Sequence, residues 1–337
     1  MCPIQLEYIW IDGDKNLRSK TKVLKLSDKF TIDNLPTWNY DGSSTNQAIG
    51  NDSEITIKPV FMCKDPFKGG YNKLVLCSTW CDNTTPHVTN IRDPATEIFN
   101  QHPELEPMFG LEQEFFVMHQ HSRDVISKPF GVELEPQGQY YCGIGSKFDL
   151  GRVVLNNILQ NCIYANLSVT GSNLEVAPGQ MEIQICDKGI AAADQLYMIR
   201  YIINRTLEVY GMYAVFDAKP LDGNWNGSGC HCNFSTLPMR TAPDGINYIY
   251  NAIEKLKAKH ELHISNYGED NKDRLTGEHE TSDMNTFSFG VGDRTASIRI
   301  PNSTIDNDCG YLEDRRPSSS CDPYLVTSLI FDTCMND

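Results

Sequence analysis

The sequence has few basic residues for its length, and this shortage makes some kinds of binding partner fit less well than others, nucleic acids above all. It carries 29 lysines and arginines against 44 aspartates and glutamates, a formal net charge of −15. Because nucleic-acid phosphates bind to positively charged surfaces, the balance disfavours a general nucleic-acid-binding protein. The acidic excess is typical of a soluble protein, and it also leaves carboxylates for a metal site.

Long apolar runs are also absent. No segment approaches the roughly 18 apolar residues that a membrane span needs, and the N-terminal stretch MCPIQLEYIWIDGD has no signal-peptide pattern. We therefore expect a cytoplasmic protein that binds no membrane. Hydrophobic residues make up 40% of the 337 residues and charged residues 22%, which is ordinary for a globular protein.

The sequence contains twelve cysteines but no C-x-x-C pair. Cys230 and Cys232 flank His231, a pattern that could suggest zinc. In a strand, however, alternate side chains point to opposite faces, so the two thiols would lie on one face and the imidazole on the other. We interpret the cysteines as reduced thiols that act as small core residues.

Residues 4 to about 90 predict a β-rich domain. The segments IQLEYIWID, EITIKPVFM and NKLVLCSTW are typical of strands. The Gly/Ser/Asn-rich stretch PTWNYDGSSTNQA, which carries Asp41, predicts a loop. Asp93 followed by Pro94 predicts an N-cap and a helix through about Gln101. We place a domain boundary near residue 90, which gives domains 1–90 and 91–337.

The second part of the chain alternates predicted helices and strands, which favours an α+β fold over a doubly wound sheet. Helices are predicted at Asp149–Ala165, Ile190–Tyr210 and Gly245–His263. Strands are predicted at Phe109–Met118, Ser172–Val176, Gln180–Cys186, Met212–Phe216 and Cys230–Phe234. The stretch CGIGSKFDLGR lacks the third glycine of a dinucleotide fingerprint, and we interpret it as a turn.

The run MFGLEQEFFVM places Glu112 and Glu114 within an otherwise apolar strand. Residues i and i+2 of a strand project from the same face, so these carboxylates point the same way. Two adjacent anions in a partly buried setting need a shared proton or a cation between them. The alternative is that one face of the strand lies in water. Apolar neighbours on both faces, such as Phe115 and Phe116, favour the functional interpretation.

Other ionisable residues lie among glycine, asparagine, serine and proline, as in many binding loops. Glu175 and Glu182 flank a Pro-Gly turn, and two hairpin-like arms could bring them to one cavity. His231, Glu280 and Glu313 are isolated in similar loops. Carboxylates with one histidine form an oxygen-rich ligand set, which suits Mg²⁺ or Mn²⁺ better than zinc.

Arginines cluster near the C-terminal end of this acidic chain. Guanidinium groups bind carboxylate and phosphate bidentately, and cations beside a metal site are what phosphoryl transfer needs. Any one of these arginines alone would suggest a surface salt bridge. Neither G-x-x-x-x-G-K-[ST] nor a kinase glycine loop occurs, so the standard nucleotide motifs do not explain the cluster. Its members are Arg274, Arg294, Arg299, Arg315 and Arg316.

From about residue 6 to 335 the chain resembles glutamine synthetase, specifically the shorter eukaryotic-type class. The resemblance rests on motifs in the family's order: WNYDGSSTNQA, FGLEQE, YYCG, NWNGSGCHCNFS, RLTGEHETS, ASIRIP and EDRRPSSSCDPY. It implies a small N-terminal β-grasp domain followed by a large α+β catalytic domain with a curved antiparallel sheet. It also implies ATP-dependent joining of ammonia to L-glutamate through a γ-glutamyl phosphate, which turns a poor leaving group into a good one.

The resemblance assigns two divalent-metal positions, for Mg²⁺ or Mn²⁺, with His231 also beside the substrates. The residues that match ligands of the metal nearer to glutamate are Glu114, Glu175 and Glu182. The residues that match ligands of the metal on the ATP phosphates are Glu112, His231 and Glu313.

The remaining roles follow from the same resemblance. Glutamate would be held by Arg274 and Arg315, with help from Asn226 and Gly227. The transferring phosphoryl group would be stabilised by Arg294 and Arg299. The nucleotide would lie near Asn233, Ser235 and Tyr311.

Glu280 resembles the flap carboxylate that closes the site and takes a proton from the attacking nitrogen. Asp41 resembles the residue that deprotonates ammonium, with Tyr141 helping to form that site. In the family this aspartate comes from a neighbouring subunit, which implies a ring oligomer, a decamer of two pentamers.

The sequence departs from the family at several positions. Met108 stands where many relatives place a tryptophan beside adenine, although a thioether still packs on a ring. Glu278 adds an anion to the flap, and the chain begins close to its first strand. Two other functions remain as alternatives: a ligase that joins glutamate to another amine, and a structural relative without activity. Asp41 and Tyr141 favour ammonia, and the intact metal and arginine positions favour an enzyme.

Overall fold

The computed structural model describes residues 3–27, 29–122, 124–126, 134, 136–145, 151–241 and 243–335. The chain divides into two compact units, Met1–Glu97 with Gln160–Leu167 and Ile98–Leu159 with Ser168–Asp337. Among the described residues, no helix has the length and apolar character that crossing a bilayer requires. Most of the predicted turn CGIGSKFDLGR after Gly145, and the predicted helix start at Asp149, lie outside the described residues.

The first unit is built on a five-stranded sheet with the order β2-β1-β5-β4-β3. Neighbouring strands are antiparallel, except that β1 and β5 run parallel. Its core packs Leu6, Tyr8, Ile57 and Val75 at full burial or close to it. The strands are β1 (Pro3–Ile11), β2 (Leu17–Lys25), β3 (Trp38–Asp41), β4 (Glu54–Lys64) and β5 (Lys73–Trp80).

Two predictions for the first unit need correction, and one strand was missed. The stretch PTWNYDGSSTNQA is not all loop, because its first half forms the edge strand β3, and a single 3₁₀ turn, Gly42–Thr45, follows. Strand β2 was not predicted, since an edge strand needs few apolar residues. Helix α1 (Arg92–Gln101) begins before the predicted cap, and the Asp93 N–H donates to the side chain of Asn90 at 3.3 Å.

The second unit contains a sheet with the order β11-β12-β13-β10-β6-β8-β7, in which β9 also pairs with β6. Neighbours are antiparallel, except that β11 and β12 run parallel. The predicted strands are present with shifted ends, and β7 ends before Glu175 instead of after it. The strands are β6 (Met108–His119), β7 (Val169–Leu174), β8 (Gln180–Lys188), β9 (Met212–Val215), β10 (Cys230–Ser235), β11 (Phe289–Val291), β12 (Ile298–Ile300) and β13 (Leu312–Asp314).

Helices cover one face of this second sheet. Helix α3 packs against β6, β8, β9 and α8. The prediction of one helix over Gly245–His263 was wrong, because the chain leaves helical geometry at Lys259 and forms two helices. The helices after α1 are α2 (Arg152–Tyr164), α3 (Ile190–Val209), α4 (Leu237–Arg240), α5 (Gly245–Ala258), α6 (His260–Asn266), α7 (Asn302–Asp306) and α8 (Pro323–Met335).

Strand β6 has two chemically different faces. Phe109, Leu111 and Phe115 are almost completely buried, and they lie on the face that the helices cover. Glu112 and Glu114 alternate with them and point to the opposite face, as the sequence predicts. This alternation makes one face of the sheet core and the other face a platform for polar chemistry.

Candidate active site

The polar face of the second sheet carries aligned side chains from neighbouring strands. Residues that pair across strands point to the same face, so the pairing register fixes which groups meet. One row pairs Glu114 with Glu182. The next row contains Gln184, Glu112 and His231. The third row contains Cys186, Gly110, Asn233, Glu313 and Arg299.

Three buried carboxylates form the first cluster. One oxygen from each of Glu114, Glu175 and Glu182 lies within 4.8 Å of the others. Glu114 Oε2 accepts hydrogen bonds from the Gly229 N–H at 2.7 Å and from Gln180 Nε2 at 3.0 Å. Glu175 lies in the turn after β7, whereas the sequence prediction placed it on a hairpin-like arm. Hydrogen-bond partners therefore hold the carboxylates in place, and one oxygen of each carboxylate remains close to the other two.

Burial is the main cause of raised pKa values in this first cluster. It raises the pKa of Glu114, and the nearby Glu175 raises it further. Burial also raises the pKa of Glu182, with Glu112 and Glu114 as the next causes. The pKa of Glu175 is raised in the same way. Three carboxylates this close cannot all ionise alone, so they hold protons or a cation.

The second cluster contains Glu112, His231 and Glu313, again with one donor atom from each within 4.8 Å. His231 Nδ1 lies 3.3 Å from Glu112 and 3.6 Å from Glu313. Asn233 Nδ2 donates to Glu112 Oε1 at 2.8 Å. Burial lowers the pKa of His231 well below its usual range, and the neighbouring Arg315 adds to this. A neutral imidazole is the form that binds a metal ion.

The donor set fits two divalent cations. Five carboxylates and one neutral imidazole form two three-residue groups, and such hard donors suit Mg²⁺ or Mn²⁺. The thiols of Cys230 and Cys232 are buried on the other face of β10, as the alternation predicts, and do not enter either group.

Arginines from three segments surround these clusters. Arg274 NH2 lies 3.1 Å from His231 Nε2 and donates to the Arg315 carbonyl at 2.9 Å. Burial lowers the pKa of Arg274 to about 10, so it stays cationic at neutral pH. Arg315 NH1 donates to Glu313 Oε1 at 2.6 Å, and Arg299 NH1 donates to the other oxygen of the same carboxylate.

Arg316 is not part of this site. It is fully buried on the opposite face, where its guanidinium donates to both oxygens of Asp314, at 2.9 and 2.7 Å. The reason is alternation along the extended segment after β13, which sends Arg315 and Arg316 in opposite directions. Of the five arginines that cluster in the sequence, Arg316 therefore does not belong to the site.

One cavity of about 290 Å³ brings most of the predicted residues together. It also contains His279, which the sequence interpretation did not select. The predicted residues that line it are Glu112, Glu114, Tyr141, Glu175, Glu182, Asn226, Gly227, His231, Arg274, Glu280, Arg294 and Arg315.

A second cavity of about 370 Å³ adjoins the first at Glu112, which lines both. It contains the predicted nucleotide residues Asn233, Ser235 and Tyr311, together with Met108. Sequence reasoning missed the remaining wall, which includes Thr170 and Cys186. Cys186 pairs with Gly110 in the β6–β8 register, and no motif marked it.

The segment 277–281, which carries the predicted flap residue Glu280, lines the first cavity and has an unusual backbone. His279 and Glu280 have φ values of 53° and 60°, in the left-handed region that residues other than glycine rarely adopt. Thr281 Oγ1 donates to the Arg274 carbonyl at 3.1 Å, and Arg315 NH2 donates to the Glu280 carbonyl at 3.3 Å. This segment is thus hydrogen-bonded to Arg274 and to Arg315.

Asp41 lies in the first unit. It caps the 3₁₀ turn Gly42–Thr45, accepting hydrogen bonds from the Ser43 N–H at 3.0 Å and from Ser44 Oγ at 2.9 Å. These hydrogen bonds, with that from the Ser43 hydroxyl first, lower the pKa of the Asp41 carboxyl. Asp41 is exposed and ready to accept another donor.

Comparisons with known proteins show which proteins this chain is similar to. The family model described as glutamine synthetase, catalytic domain, matches residues 95–268. A protein named glutamine synthetase from Saccharomyces cerevisiae is 48% identical over 329 residues, covering 97% of this chain and 88% of its own. Glutamine synthetase cytosolic isozyme 1-5 from Arabidopsis thaliana is 47% identical, with coverage of 97% and 93%. A putative glutamine synthetase from Acanthamoeba polyphaga mimivirus is 46% identical, with coverage of 98% and 94%.

Proposed function

The chain belongs to the glutamine synthetase family, whose enzymes join ammonia to L-glutamate to give L-glutamine, and we propose that the two adjoining cavities carry out this reaction in two steps. In the first step the γ-carboxylate of glutamate is phosphorylated by ATP. In the second step ammonia displaces phosphate from the γ-glutamyl phosphate. The observation that carries this proposal is the pair of three-donor clusters on one sheet face, with arginines around them.

Each cluster would hold one divalent cation, Mg²⁺ or Mn²⁺, close to transferring oxygen atoms. Glu114, Glu175 and Glu182 would hold the one nearer to glutamate, and Glu112, His231 and Glu313 the one nearer to the ATP phosphates. A bound divalent cation supplies Lewis acidity, neutralising charge on carboxylate and phosphate oxygens. The raised pKa values of the first cluster support this assignment, because a bound cation would offset both the burial of the carboxylates, which is the main cause, and the repulsion between them.

The arginines would supply the remaining positive charge. Arg274 and Arg315, with Asn226 and Gly227, would hold the carboxylates of glutamate at the wall of the first cavity. Arg294 and Arg299 would stabilise the phosphoryl group as it passes from ATP to glutamate. Fixed cations in a water-poor cavity stabilise such charge strongly, since they need no reorganisation during the reaction.

Ammonia would be bound and deprotonated by three residues, Asp41, Tyr141 and Glu280. A carboxylate that stays ionised attracts ammonium and accepts its proton, and the hydrogen bonds on Asp41 favour the ionised form. Glu280 lies on the flap over the first cavity, where it would accept a proton from the attacking nitrogen. Asp41→Ala should therefore spare phosphorylation of glutamate more than ammonia transfer.

The second cavity would bind the nucleotide. Asn233, Ser235 and Tyr311 would lie near it, and the adjoining position of Glu112 supports delivery of the terminal phosphate to the first cavity. The cavity is lined by apolar and polar groups together, as nucleotide pockets are.

We also propose the domain organisation and assembly that the family implies. The first unit, with its central parallel pair β1 and β5, supports a β-grasp domain at residues 1–90, followed by a catalytic domain at 91–337. If Asp41 completes the site of a neighbouring copy, the protein forms a ring, a decamer of two pentamers. We place it in the cytoplasm, in line with the Arabidopsis relative that is named a cytosolic isozyme.

The proposal is tested by phosphate release from ATP with Mg²⁺ and glutamate, with ammonia supplied or withheld. We expect phosphate and glutamine in equal amounts when ammonia is present, and little sustained release without it. Methylamine in place of ammonia tests the alternative amine. Faster turnover with methylamine would contradict the assignment of ammonia as substrate.

The metal assignment is tested by Glu114→Gln, which keeps the shape of the side chain and removes its charge. Loss of one metal ligand should reduce Mg²⁺-dependent turnover at least a hundredfold, while the folded state persists. The matched control is Glu254→Gln, an exposed glutamate of α5. Retained activity in Glu114→Gln would remove the metal role.

A further inference from the structure

Gln137 connects two parts of the first cavity that the sequence interpretation did not link. Its side chain bonds to Asn226, in the segment before β10, and to His279 of the flap. Asn226 and His279 both line the cavity, whereas Gln137 is half-buried next to it. A single carboxamide therefore joins a wall of the cavity to its cover.

The backbone around Gln137 is itself held against the carboxylate hairpin. The Gly138 N–H donates to the Val176 carbonyl, and the Cys142 N–H donates to the Leu174 carbonyl, both at 3.0 Å. Gly138 has a φ of 97°, a conformation that favours glycine. These bonds fix the segment on both sides of Glu175, so Gln137 has a defined position relative to the first carboxylate cluster.

The hydrogen bonds of Gln137 determine which atoms are donors. The backbone N–H of Asn226 can only donate, and it donates to Gln137 Oε1. The other end of the carboxamide must then be the NH₂ group, which lies 2.9 Å from Asn226 Oδ1 and 3.0 Å from His279 Nδ1. Asn226 therefore presents its oxygen to Gln137, and His279 Nδ1 must be an acceptor.

Both neighbours line the cavity, and each consequently has an N–H group that its bond to Gln137 does not use. With Nδ1 accepting, the proton of the neutral His279 ring is on Nε2, on the opposite edge of the imidazole. With Oδ1 engaged by Gln137, the amide NH₂ of Asn226 is the end that remains for a ligand. We propose that Gln137 is a positioning residue that fixes His279 and Asn226 as paired N–H donors to a carboxylate of bound glutamate.

This inference rests on the proposed function and adds His279 to the groups that contact glutamate. It also explains how the flap responds to substrate. A glutamate carboxylate that accepts from both donors bridges flap and wall, so it holds the flap closed over the reacting γ-carboxyl group. The left-handed backbone at His279 and Glu280 is a strained conformation that such contacts stabilise.

The decisive variant is Gln137→Glu, which has the same shape but no donor at its second oxygen. Asn226 must then turn its NH₂ group to that carboxylate, and His279 must present Nδ1–H to it. Both groups would face glutamate with acceptors. We expect the KM for glutamate to rise at least tenfold, while the KM for ATP changes less than twofold.

The matched control is Gln139→Glu, which adds the same charge two residues along at an exposed position. It should change neither KM by more than twofold. A second variant, Gln137→Asn, is neutral and shorter by one methylene, so it withdraws the carboxamide from both partners. It should raise the KM for glutamate at least threefold.

A double-mutant cycle with His279→Ala tests whether Gln137 acts through His279. In the His279→Ala background, Gln137→Glu should raise the KM for glutamate by a clearly smaller factor than in the wild type. Equal factors in both backgrounds, or equal effects of Gln137→Glu on the two substrates, would overturn the inference. An inactive wild type would instead overturn the proposed function, so the two failures are distinguishable in one assay.

Discussion

Met108 lines the cavity that we propose for the nucleotide, at a position where the sequence resemblance indicates a departure from the family. It lies at the first position of β6 and lines that cavity with Ser235, its partner across the sheet. A flexible thioether makes weaker and less directional contact with a purine ring than an indole does. The nucleotide is therefore expected to be held less by stacking here than in relatives that have tryptophan.

Met108→Trp should lower the KM for ATP. An aromatic face beside a base contributes about 1–3 kcal/mol, of which part is already supplied by the methionine, so a threefold to tenfold decrease is expected. Steady-state kinetics at saturating glutamate and ammonia measure it. An unchanged KM for ATP would show that residue 108 does not contact the base, and the KM for glutamate serves as the internal control.

Gly229 makes room for the guanidinium group of Arg274. A Cβ added there would lie 2.6 Å from Arg274 NH2 and 3.0 Å from His231 Nε2. Its φ is not in the left-handed region, so alanine can adopt the backbone and the conflict falls on the arginine. The Gly229 N–H also donates to Glu114, and that bond remains available to alanine.

Gly229→Ala should therefore raise the KM for glutamate by about tenfold, the cost of losing one charge-assisted hydrogen bond. The KM for ATP should change less than the KM for glutamate, because the added Cβ lies closer to Arg274 than to His231. The control is Gly50→Ala in the first unit, where an added Cβ has no neighbour within 4 Å. A wild-type KM for glutamate in Gly229→Ala would mean that Arg274 does not bind that substrate.

Single residues were predictable from the sequence where a charge interrupted an apolar pattern. Glu112 and Glu114 stand out because the rest of β6 is apolar, and alternation then gives their common face. Gln137 and Cys186 gave no such signal, since a polar residue in a loop and a thiol in a strand are both ordinary. Their roles depend on hydrogen-bond partners and strand register, which the spacing of residues does not contain.

At the scale of elements, the break between α5 and α6 places a buried histidine in the core. His263 Nε2 lies 2.9 Å from Thr333 Oγ1 of α8, and Nδ1 bonds to the hydroxyl of Tyr267. Burial lowers the pKa of His263 to about 3, with the charge of Arg316 as the second cause. The folded protein thus keeps this ring neutral where an unfolded chain would protonate it.

The free energy of unfolding should consequently fall as the pH drops below about 6.5, the ordinary histidine pKa. Below that value the unfolded state binds a proton that the folded state does not, and the loss continues until the pH reaches the folded-state pKa. Between pH 6.5 and 5 the expected loss is about 2 kcal/mol. Urea unfolding of wild type and His263→Gln measures it; an identical pH slope in both would contradict the assignment.

Elements were predictable in proportion to the strength of their hydrophobic pattern. The central strands β6, β8 and β10 and the long helix α3 were found within a few residues. The short strands β11, β12 and β13 were missed, because three residues cannot show a period. The helix break at Lys259 was missed because apolar spacing continues across it, while His260 turns to bond with the Met284 carbonyl and Arg316.

At the scale of the whole molecule, the proposed ring divides each active site between two copies of the chain. Asp41 lies in the first unit, and Glu114 lies in the second. If one copy supplies Asp41 and its neighbour supplies Glu114, two chains with different defects can together form an intact site. This arrangement would make activity a property of the assembly.

Coexpression of Asp41→Ala and Glu114→Gln chains tests that division. Each variant alone should be nearly inactive in glutamine formation. In randomly mixed rings, about one quarter of the sites would combine an intact residue from each copy, and about that share of wild-type activity should return. No recovery in rings shown to be mixed would place both residues of a site on one chain.

The whole-molecule organisation was the least accessible to pattern reasoning. A change from β-rich to mixed sequence near residue 90 indicated two parts. The return of Gln160–Leu167 to the first unit was not predictable, because that segment continues the helical pattern of α2. Assembly was inferred only from the family, since surface composition does not encode a symmetry.

Strand β10 carries two kinds of metal-binding side chain on its opposite faces, an imidazole on one face and two thiols on the other. His231 faces the carboxylates, while Cys230 and Cys232 are buried behind it. A slip of β10 by one residue would exchange these faces and place two thiols among the carboxylates. Thiolates select zinc over magnesium, so the altered protein would capture zinc from the cell. The register in which β10 pairs with β6 and β13 therefore determines which metal the site would select, as well as the shape of the site.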